Sequence, residues 1–209
     1  MTGLILAIDV TTPHGSLALA DGNGLLEEFQ LEAPHGYGEL LFAAIDGLLK
    51  RHETTIEEIA LFAAASGPGT FTGVRIGIAA VQAFGEALAR PVCGVSNLQA
   101  IAALADGPLR AVAVDARRGQ FYTALYDAEL NPVVPERLET LEAFRAALPP
   151  NAAVTIGQAE PLAAAIASIA GARLAAGVVT APDALDANYI RRSDAELNLT
   201  VRPPSPPRT

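Results

Sequence analysis

A single cysteine, Cys93, among 209 residues rules out an internal disulfide and a cysteine-built zinc cage. Set in Pro-Val-Cys-Gly-Val, it reads as a small core residue rather than a nucleophile, which fits a reducing compartment. Cations are scarce: 14 Lys and Arg face 23 Asp and Glu, a formal net charge of −9. Nucleic-acid binding rests on neutralising phosphates with Lys and Arg, so any role on a nucleic acid should be indirect. No basic segment precedes the first apolar run, and no signal peptide is expected. Leu162 to Ala172, the most apolar later stretch, is shorter than the roughly 20 residues that span a bilayer and is closed by Arg173. The expectation is a soluble, cytoplasmic protein with no membrane segment.

Motifs that carry chemistry on their own are also missing. Of His14, His35 and His52, only His35 has a second donor at i+4, Glu39, and two donors do not make a zinc site. There is no Gly-x-Ser-x-Gly elbow, no Cys–His pair and no coupled pair of carboxylates. The run Gly67 to Gly73 misses the dinucleotide fingerprint by one residue in its last spacing, and no Lys followed by Ser or Thr makes a P-loop. No catalytic residue and no metal site is therefore expected. The basic pairs Arg117-Arg118 and Arg191-Arg192 read as solvated or carboxylate-paired, with a local anion contact as the alternative.

What the chain does have is one heavily constrained stretch, SGPGTFTGVRIG, from Ser66 to Gly77. Gly67, Pro68 and Gly69 break the apolar run Ile59 to Ala65, and Thr70 or Thr72 can cap a helix running to about Leu88. Gly73, Gly77 and Gly85 each cost that helix about 1 kcal/mol against Ala, so close contact must offset them. Gly73 and Gly77 share a face, with Val74, Ile78, Val81 and Phe84 supplying apolar area around them. Before it, Leu40, Leu41, Ala44, Ile45, Leu48 and Leu49 recur at helical spacing to about Arg51.

The chain opens with a buried strand, Leu4 to Ile8, ending at Asp9; a hairpin through Ser16 to Ala20; and a third strand near Leu25 to Gln30. A capped turn at Thr55 to Glu58, strands Ile59 to Ala65 and Pro91 to Val95, and a helix over Leu98 to Leu104 follow. Asp106-Gly107-Pro108 marks a boundary, after which Val112 to Asp127 repeats the pattern of Leu6 to Asp21. Asn131 to Val134, a helix over Thr140 to Leu148, a strand at Val154 to Ile156, an Ala-rich helix from Pro161 and a last helix over Ala184 to Leu197 complete the second half. Residues 201–209, with four prolines, read as an extended tail. Two βββαβα halves, 1–105 and 106–200, describe an α/β fold of the actin, sugar kinase and Hsp70 type. In that fold a carboxylate such as Asp9 can order a metal-bound water, and Thr11, Thr12 and Ser16 can meet phosphate oxygens. Pro13 and the lack of an early glycine count against such a site, as a tight strand-to-helix connection does for an anion at Gly69, Thr70, Thr72 and Arg75.

SGPGTFTGVRIG together with ILAIDVTT at the start, the His35 stretch, GVSNLQAIA at Gly94 to Ala102 and VDARRGQFYTALYD at Val114 to Asp127 resembles the TsaB (YeaZ) family. NYIRRSDAEL near the end is similar to the family's closing segment, and Asp9-Val-Thr-Thr departs from its more usual Asp-Thr-Ser. The resemblance implies a subunit, inactive alone, of the machinery that installs threonylcarbamoyl on the tRNA adenosine beside the anticodon. It implies pairing with the related catalytic subunit TsaD, completion by the ATPase TsaE, and tRNA contact only through the complex. His35 and Glu39 stand where TsaD-like proteins carry a metal-binding His pair, which assigns the metal to the partner. No cofactor is expected to bind tightly, with ATP or ADP contributing weakly at the level of the complex. The expected partner surface is the helix pair, at Leu41, Ile45, Leu48, Gly73, Val74, Gly77, Ile78 and Val81, with a homodimer through the same surface as competitor. A small-molecule kinase or ATPase of the same fold and a metallopeptidase-like protein are the alternatives.

Overall fold

A computed structural model describes residues 3–33, 36–38, 40–157, 161–188 and 190. The chain runs β1 (Leu4–Asp9), β2 (His14–Asp21), β3 (Gly24–Glu32), α1 (Leu40–Arg51), β4 (Ile59–Ala65), α2 (Phe71–Leu88), β5 (Val92–Val95) and α3 (Asn97–Ala103). It continues through β6 (Leu109–Asp115), β7 (Phe121–Asp127), β8 (Pro132–Glu139), α4 (Leu141–Ala147), β9 (Ala153–Ile156) and α5 (Ala163–Ala175). Single 3-10 turns lie at Ile56–Glu58 and Pro182–Ala184.

The strands form two mixed sheets, ordered β3-β2-β1-β4-β5 and β8-β7-β6-β9. In each, the leading strand pairs antiparallel with the hairpin strand after it and parallel with the strand that follows a helix. Asp9 and Asp115 end the two leading strands, so the repeat read from the sequence is a repeat of topology. This is the α/β arrangement of the actin, sugar kinase and Hsp70 fold.

The first sheet is buried on both faces, and its alternation sorts residues by size. Leu6, Ile8, Leu17, Leu19 and Phe62 pack against α1 and α2. The opposite face carries Ala7, Ala18, Ala20, Ala63 and Ala65, meeting Ala163, Ala167 and Ala170 of α5. Small residues on both sides let α5 lie close to the strands. Its first turn is anchored from the sheet: Ser16 Oγ on β2 accepts the N–H groups of Leu162 and Ala163 at 3.3 and 3.0 Å, and Glu28 Oε1 on β3 accepts that of Ala164 at 2.8 Å. By sequence α5 belongs to the second half, yet it packs on the first sheet. The outer face of the second sheet is smaller, built from Ala111, Ala113 and Leu125 under Phe144 of α4.

Two expectations change here. The third strand of the second half runs to Glu139, well past Val134. The last helix expected over Ala184 to Leu197 is not formed at 185–188 or at 190, and 189 and 191–197 lie outside the described residues, as does the tail at 201–209. Instead the chain returns along the first half. Thr180 and Val92 exchange backbone hydrogen bonds of 2.9 and 3.0 Å, Gln82 Nε2 donates to the carbonyls of Pro182 and Leu185, and Leu185 packs over Gly94. With those carbonyls bound to Gln82, the segment has no need of helical partners of its own. No helix among the described residues is long and apolar enough to cross a membrane.

Candidate functional site

The loop between β4 and α2 is held from three sides. Gly67 has φ +105, a conformation that favours glycine, and its N–H donates to Asn97 Oδ1 at 2.9 Å. Asn97 lies at the start of α3 with only 2% of its surface exposed, and its Nδ2 donates to Thr11 Oγ1 at 2.8 Å. The Thr11 hydroxyl and N–H both donate to Asp9 Oδ1, at 2.6 and 2.9 Å, and the Thr70 N–H donates to the Thr11 carbonyl at 2.8 Å. Thr70 caps α2 by accepting the Gly73 N–H at 3.2 Å. The ends of β1, β4 and β5 are thus tied together through side chains. The sequence pattern offers either Ser96 or Asn97 as the cap of α3 and gives Asn97 no role beyond that. Ser96 supplies that cap, its Oγ accepting the Leu98 N–H at 3.1 Å, which leaves Asn97 to turn inward.

The expected anion or nucleotide set is divided by this arrangement. Asp9, Thr11 and Thr12 are buried, and Thr12 is engaged locally with His14 and Tyr37. Ser16, expected to meet phosphate, caps α5 instead. Gly69, Thr70 and Arg75 are exposed, with the Arg75 guanidinium 3.7 Å from the ring centroid of Phe71. Among the described residues no three His, Cys, Asp or Glu side chains gather as a metal cluster, and the His35–Glu39 pair lies outside them. Cys93 is buried, with Arg173 Nη1 3.5 Å from its sulfur. Arg117 and Arg118 both stand at positive φ after β6, where Asp115 Oδ1 accepts the Arg117 N–H at 2.7 Å.

The helix pair needs a correction of face. Leu41, Ile45, Leu48, Val74, Ile78 and Val81 are all buried in this chain's own outer core. Gly73 and Gly77 point the same way: a Cβ on Gly73 would lie 2.0 Å from the Val10 carbonyl oxygen, and one on Gly77 would lie 3.4 Å from Val10 Cγ2. The glycine stripe lets β1 approach α2, so these eight positions are committed inside the molecule. What α1 and α2 offer outward is the neighbouring stripe, with Phe42 and Ala43 on α1 and Arg75, Ala79 and Ala83 on α2. Phe42 is 52% exposed, meets Phe84 edge-on at 6.0 Å, and Phe84 stacks on buried Phe62 at 5.2 Å. Three rings therefore lead from the core to the surface. Beside them Ile45, Leu49 and Ile56 floor a groove of about 420 Å³, with Asp46, Lys50 and Glu57 on its rim. Ala79 and Ala83 at i and i+4 leave room for another helix to pack.

Between the halves, Glu136 on β8 accepts the Tyr126 hydroxyl at 2.6 Å and Asn188 Nδ2 at 2.5 Å, while the Asn188 N–H donates to the Ser66 carbonyl at 2.8 Å. Burial first, and then the Glu136 carboxylate, hold the Tyr126 hydroxyl well above the usual phenol range, so it stays a donor. One residue of the returning segment thereby joins the glycine loop to the second sheet.

A family model described as TsaD, tRNA N6-adenosine threonylcarbamoyltransferase, matches residues 32–169. The tRNA threonylcarbamoyladenosine biosynthesis protein TsaB of Escherichia coli (strain K12) is 35% identical over 133 residues, covering 62% of this chain and 57% of that one. TsaB of Bacillus subtilis (strain 168) is 32% identical, and this chain spans 60% of its length. An uncharacterized protein of Mycobacterium tuberculosis (strain ATCC 25618 / H37Rv) is 31% identical over 206 residues, covering 92% of this chain and 93% of that one. Among solved structures, YeaZ from Pseudomonas aeruginosa superposes with a TM-score of 0.77 at 26% identity, over 90% of this chain and 99% of that one.

Proposed function

We propose, from the premise that this chain belongs to the TsaB (YeaZ) family, that it is the non-catalytic partner subunit of a TsaD-type enzyme in the synthesis of threonylcarbamoyladenosine in tRNA. The partner docks on the outward stripe of α1 and α2, and the two helix pairs form a four-helix bundle. The observation that carries this is the exposed Phe42, set on a stack of rings rooted in the core and flanked by Ala79 and Ala83 on the next helix. An exposed aromatic beside small residues is an anchor for a helical interface.

Catalysis, metal and nucleotide belong to the complex. A net charge of −9 makes the chain a poor phosphate binder, so tRNA is bound once TsaD, with TsaE, completes the assembly. ATP or ADP contributes there and is not held tightly by this subunit. In the absence of TsaD the same stripe meets a second copy of this chain. A kinase would need Asp9 open to a metal-bound water, whereas its carboxylate is buried and bonded to Thr11. The complex works in the cytoplasm, where tRNA is modified.

The test is reconstitution. TsaD, TsaE, ATP, a threonylcarbamoyl donor and tRNA are combined with and without this chain, and the modified nucleoside is measured after tRNA digestion. Modification that requires the chain supports the reading. Full modification without it, or modification by the chain alone, contradicts it.

A further inference from the structure

Gly85 on α2 and Gly94 on β5 make room for residues 180–188, the strap that returns along the first half. A Cβ on Gly85 would lie 2.6 Å from Val92 Cγ1 and 2.9 Å from Pro182 Cγ, and one on Gly94 would lie 2.7 Å from Leu185 Cδ1. Gly67, in the loop before α2, faces the same strap, with its Cβ position 3.4 Å from the Asn188 carbonyl oxygen. Glycine inside a helix or strand is unfavourable, and its presence there marks a close approach. Three elements of the first half are thus shaped to the strap. Polar contacts fix it along its length: Thr180 to the Val92 backbone, the Pro182 and Leu185 carbonyls to Gln82 Nε2 at 3.0 and 2.9 Å, and Asn188 to the Ser66 carbonyl and to Glu136.

Close at the glycines, the seat is open on both sides of Pro182. One hollow of about 410 Å³ lies between the strap and the C-terminal end of α2, at Gly85, Glu86 and Arg90. A second, of about 260 Å³, is lined by Gln82, Ala83, Glu86, Pro182 and Asp183. Ala83 belongs to the outward stripe of α2, so the proposed docking face continues onto the turn of the strap. We propose, resting on the docking reading above, that a TsaD-type partner seated on α1 and α2 also bears on the turn Pro182–Ala184, and that the strap carries this contact to the glycine loop. A helix that fills the hollow beside Ala83 supplies packing that the turn lacks. The route onward is short. Gln82, next to Ala83, holds the turn through two hydrogen bonds of one side chain. Six residues past Pro182, the Asn188 N–H donates to the Ser66 carbonyl at 2.8 Å, and Gly67 beside it donates to Asn97. Coupling of this kind needs an unbroken chain of contacts, and each link here is a hydrogen bond or a glycine seat.

Amide hydrogen exchange on the full chain, alone and with the cognate TsaD, tests this for wild type and Asn188→Pro. Proline removes the N–H bonded to Ser66 and the side chain bonded to Glu136, and leaves the turn at Pro182–Ala184 in place. With wild type, TsaD should slow exchange at least about tenfold at both 182–188 and 66–70. With Asn188→Pro the heterodimer should still form and 182–185 should still be slowed, while the slowing at 66–70 is lost. A wild-type heterodimer in which 182–188 exchange as in the free chain overturns the proposal and leaves the docking reading standing. Equal slowing of 66–70 in Asn188→Pro overturns the strap as the route. Absence of any wild-type heterodimer overturns both readings. Gln82→Ala, which frees the strap from α2, serves with the same expectation at 66–70 should Asn188→Pro alter the circular dichroism or fail to bind, and failure of both variants to bind overturns the proposal.

Discussion

The Val10 carbonyl oxygen lies where a side chain on Gly73 would have to begin: a Cβ there would sit 2.0 Å from it. Helix α2 therefore starts in direct contact with the end of β1. The glycines of the most constrained stretch in the sequence serve the chain's own strand, and the stripe beside them is left for a partner.

Gly73→Ala should be strongly destabilising, because the clash is with backbone on a buried strand end that cannot relax, and a loss of about 3 kcal/mol is expected. Gly77→Ala meets Val10 Cγ2 at 3.4 Å and Ala64 Cβ at 3.9 Å, ordinary contact distances, and gains helix propensity of about 1 kcal/mol, so it should be close to neutral. Urea unfolding followed by circular dichroism separates the two. Equal losses would mean that the glycine stripe is not where β1 and α2 meet.

Asn97→Ala should cost about 2 kcal/mol, since it leaves the Gly67 N–H without its acceptor and the Thr11 hydroxyl without its donor in a buried setting. The same unfolding measurement, with hydrogen exchange at Gly67 and Gly69, checks it. The loop amides should exchange faster in the variant while those of β7 stay unchanged.

The α/β class, both hairpins and a cap at Thr70 could be read from the chain because each rests on a local signal. Periodicity placed α1 and α2, but it could not say which of two apolar stripes faces home. Leu41 and Val74 were legible as apolar, while their burial against β1 depends on where the first sheet lies. Asn97 could not be found, because its partners Gly67 and Thr11 are distant in sequence. The crossing of α5 to the first sheet was hidden for the same reason, since it depends on Ser16 and Glu28 reaching a helix that begins far later in the chain.

That crossing yields its own expectation. Ser16→Ala removes the acceptor shared by the Leu162 and Ala163 N–H groups and should cost about 1 to 2 kcal/mol, as loss of a cap does. Hydrogen exchange should locate the loss in the first turn of α5. A variant as stable as wild type would show that the cap does not hold α5 on the first sheet.

At the surface, Glu27 on β3 bonds Arg51 at 2.6 Å and His52 at 2.8 Å. The Arg51 guanidinium first, and His52 after it, hold the Glu27 carboxyl below its ordinary value against the opposing effect of burial. A carboxyl depressed on folding contributes stability above its unfolded value, and loses it as pH falls through the folded one. The stability difference between wild type and Glu27→Gln should thus be present at neutral pH and vanish in acid, once pH has fallen through the lowered Glu27 value. It should also shrink with added salt. A difference that persists after the carboxyl is protonated would point to packing instead.

The central claim is that the outward stripe of α1 and α2 is the docking face, and light scattering after size exclusion tests it most directly. The chain is mixed with the cognate TsaD as wild type and as Ala83→Arg, a substitution at an exposed position that leaves the inward stripe untouched. The account predicts a one-to-one heterodimer with wild type, lost or weakened at least about a hundredfold in Ala83→Arg, as burying an unpaired charge in an interface requires, with the variant's circular dichroism unchanged. A heterodimer of equal stability with Ala83→Arg, or no heterodimer with the wild-type chain, would contradict it.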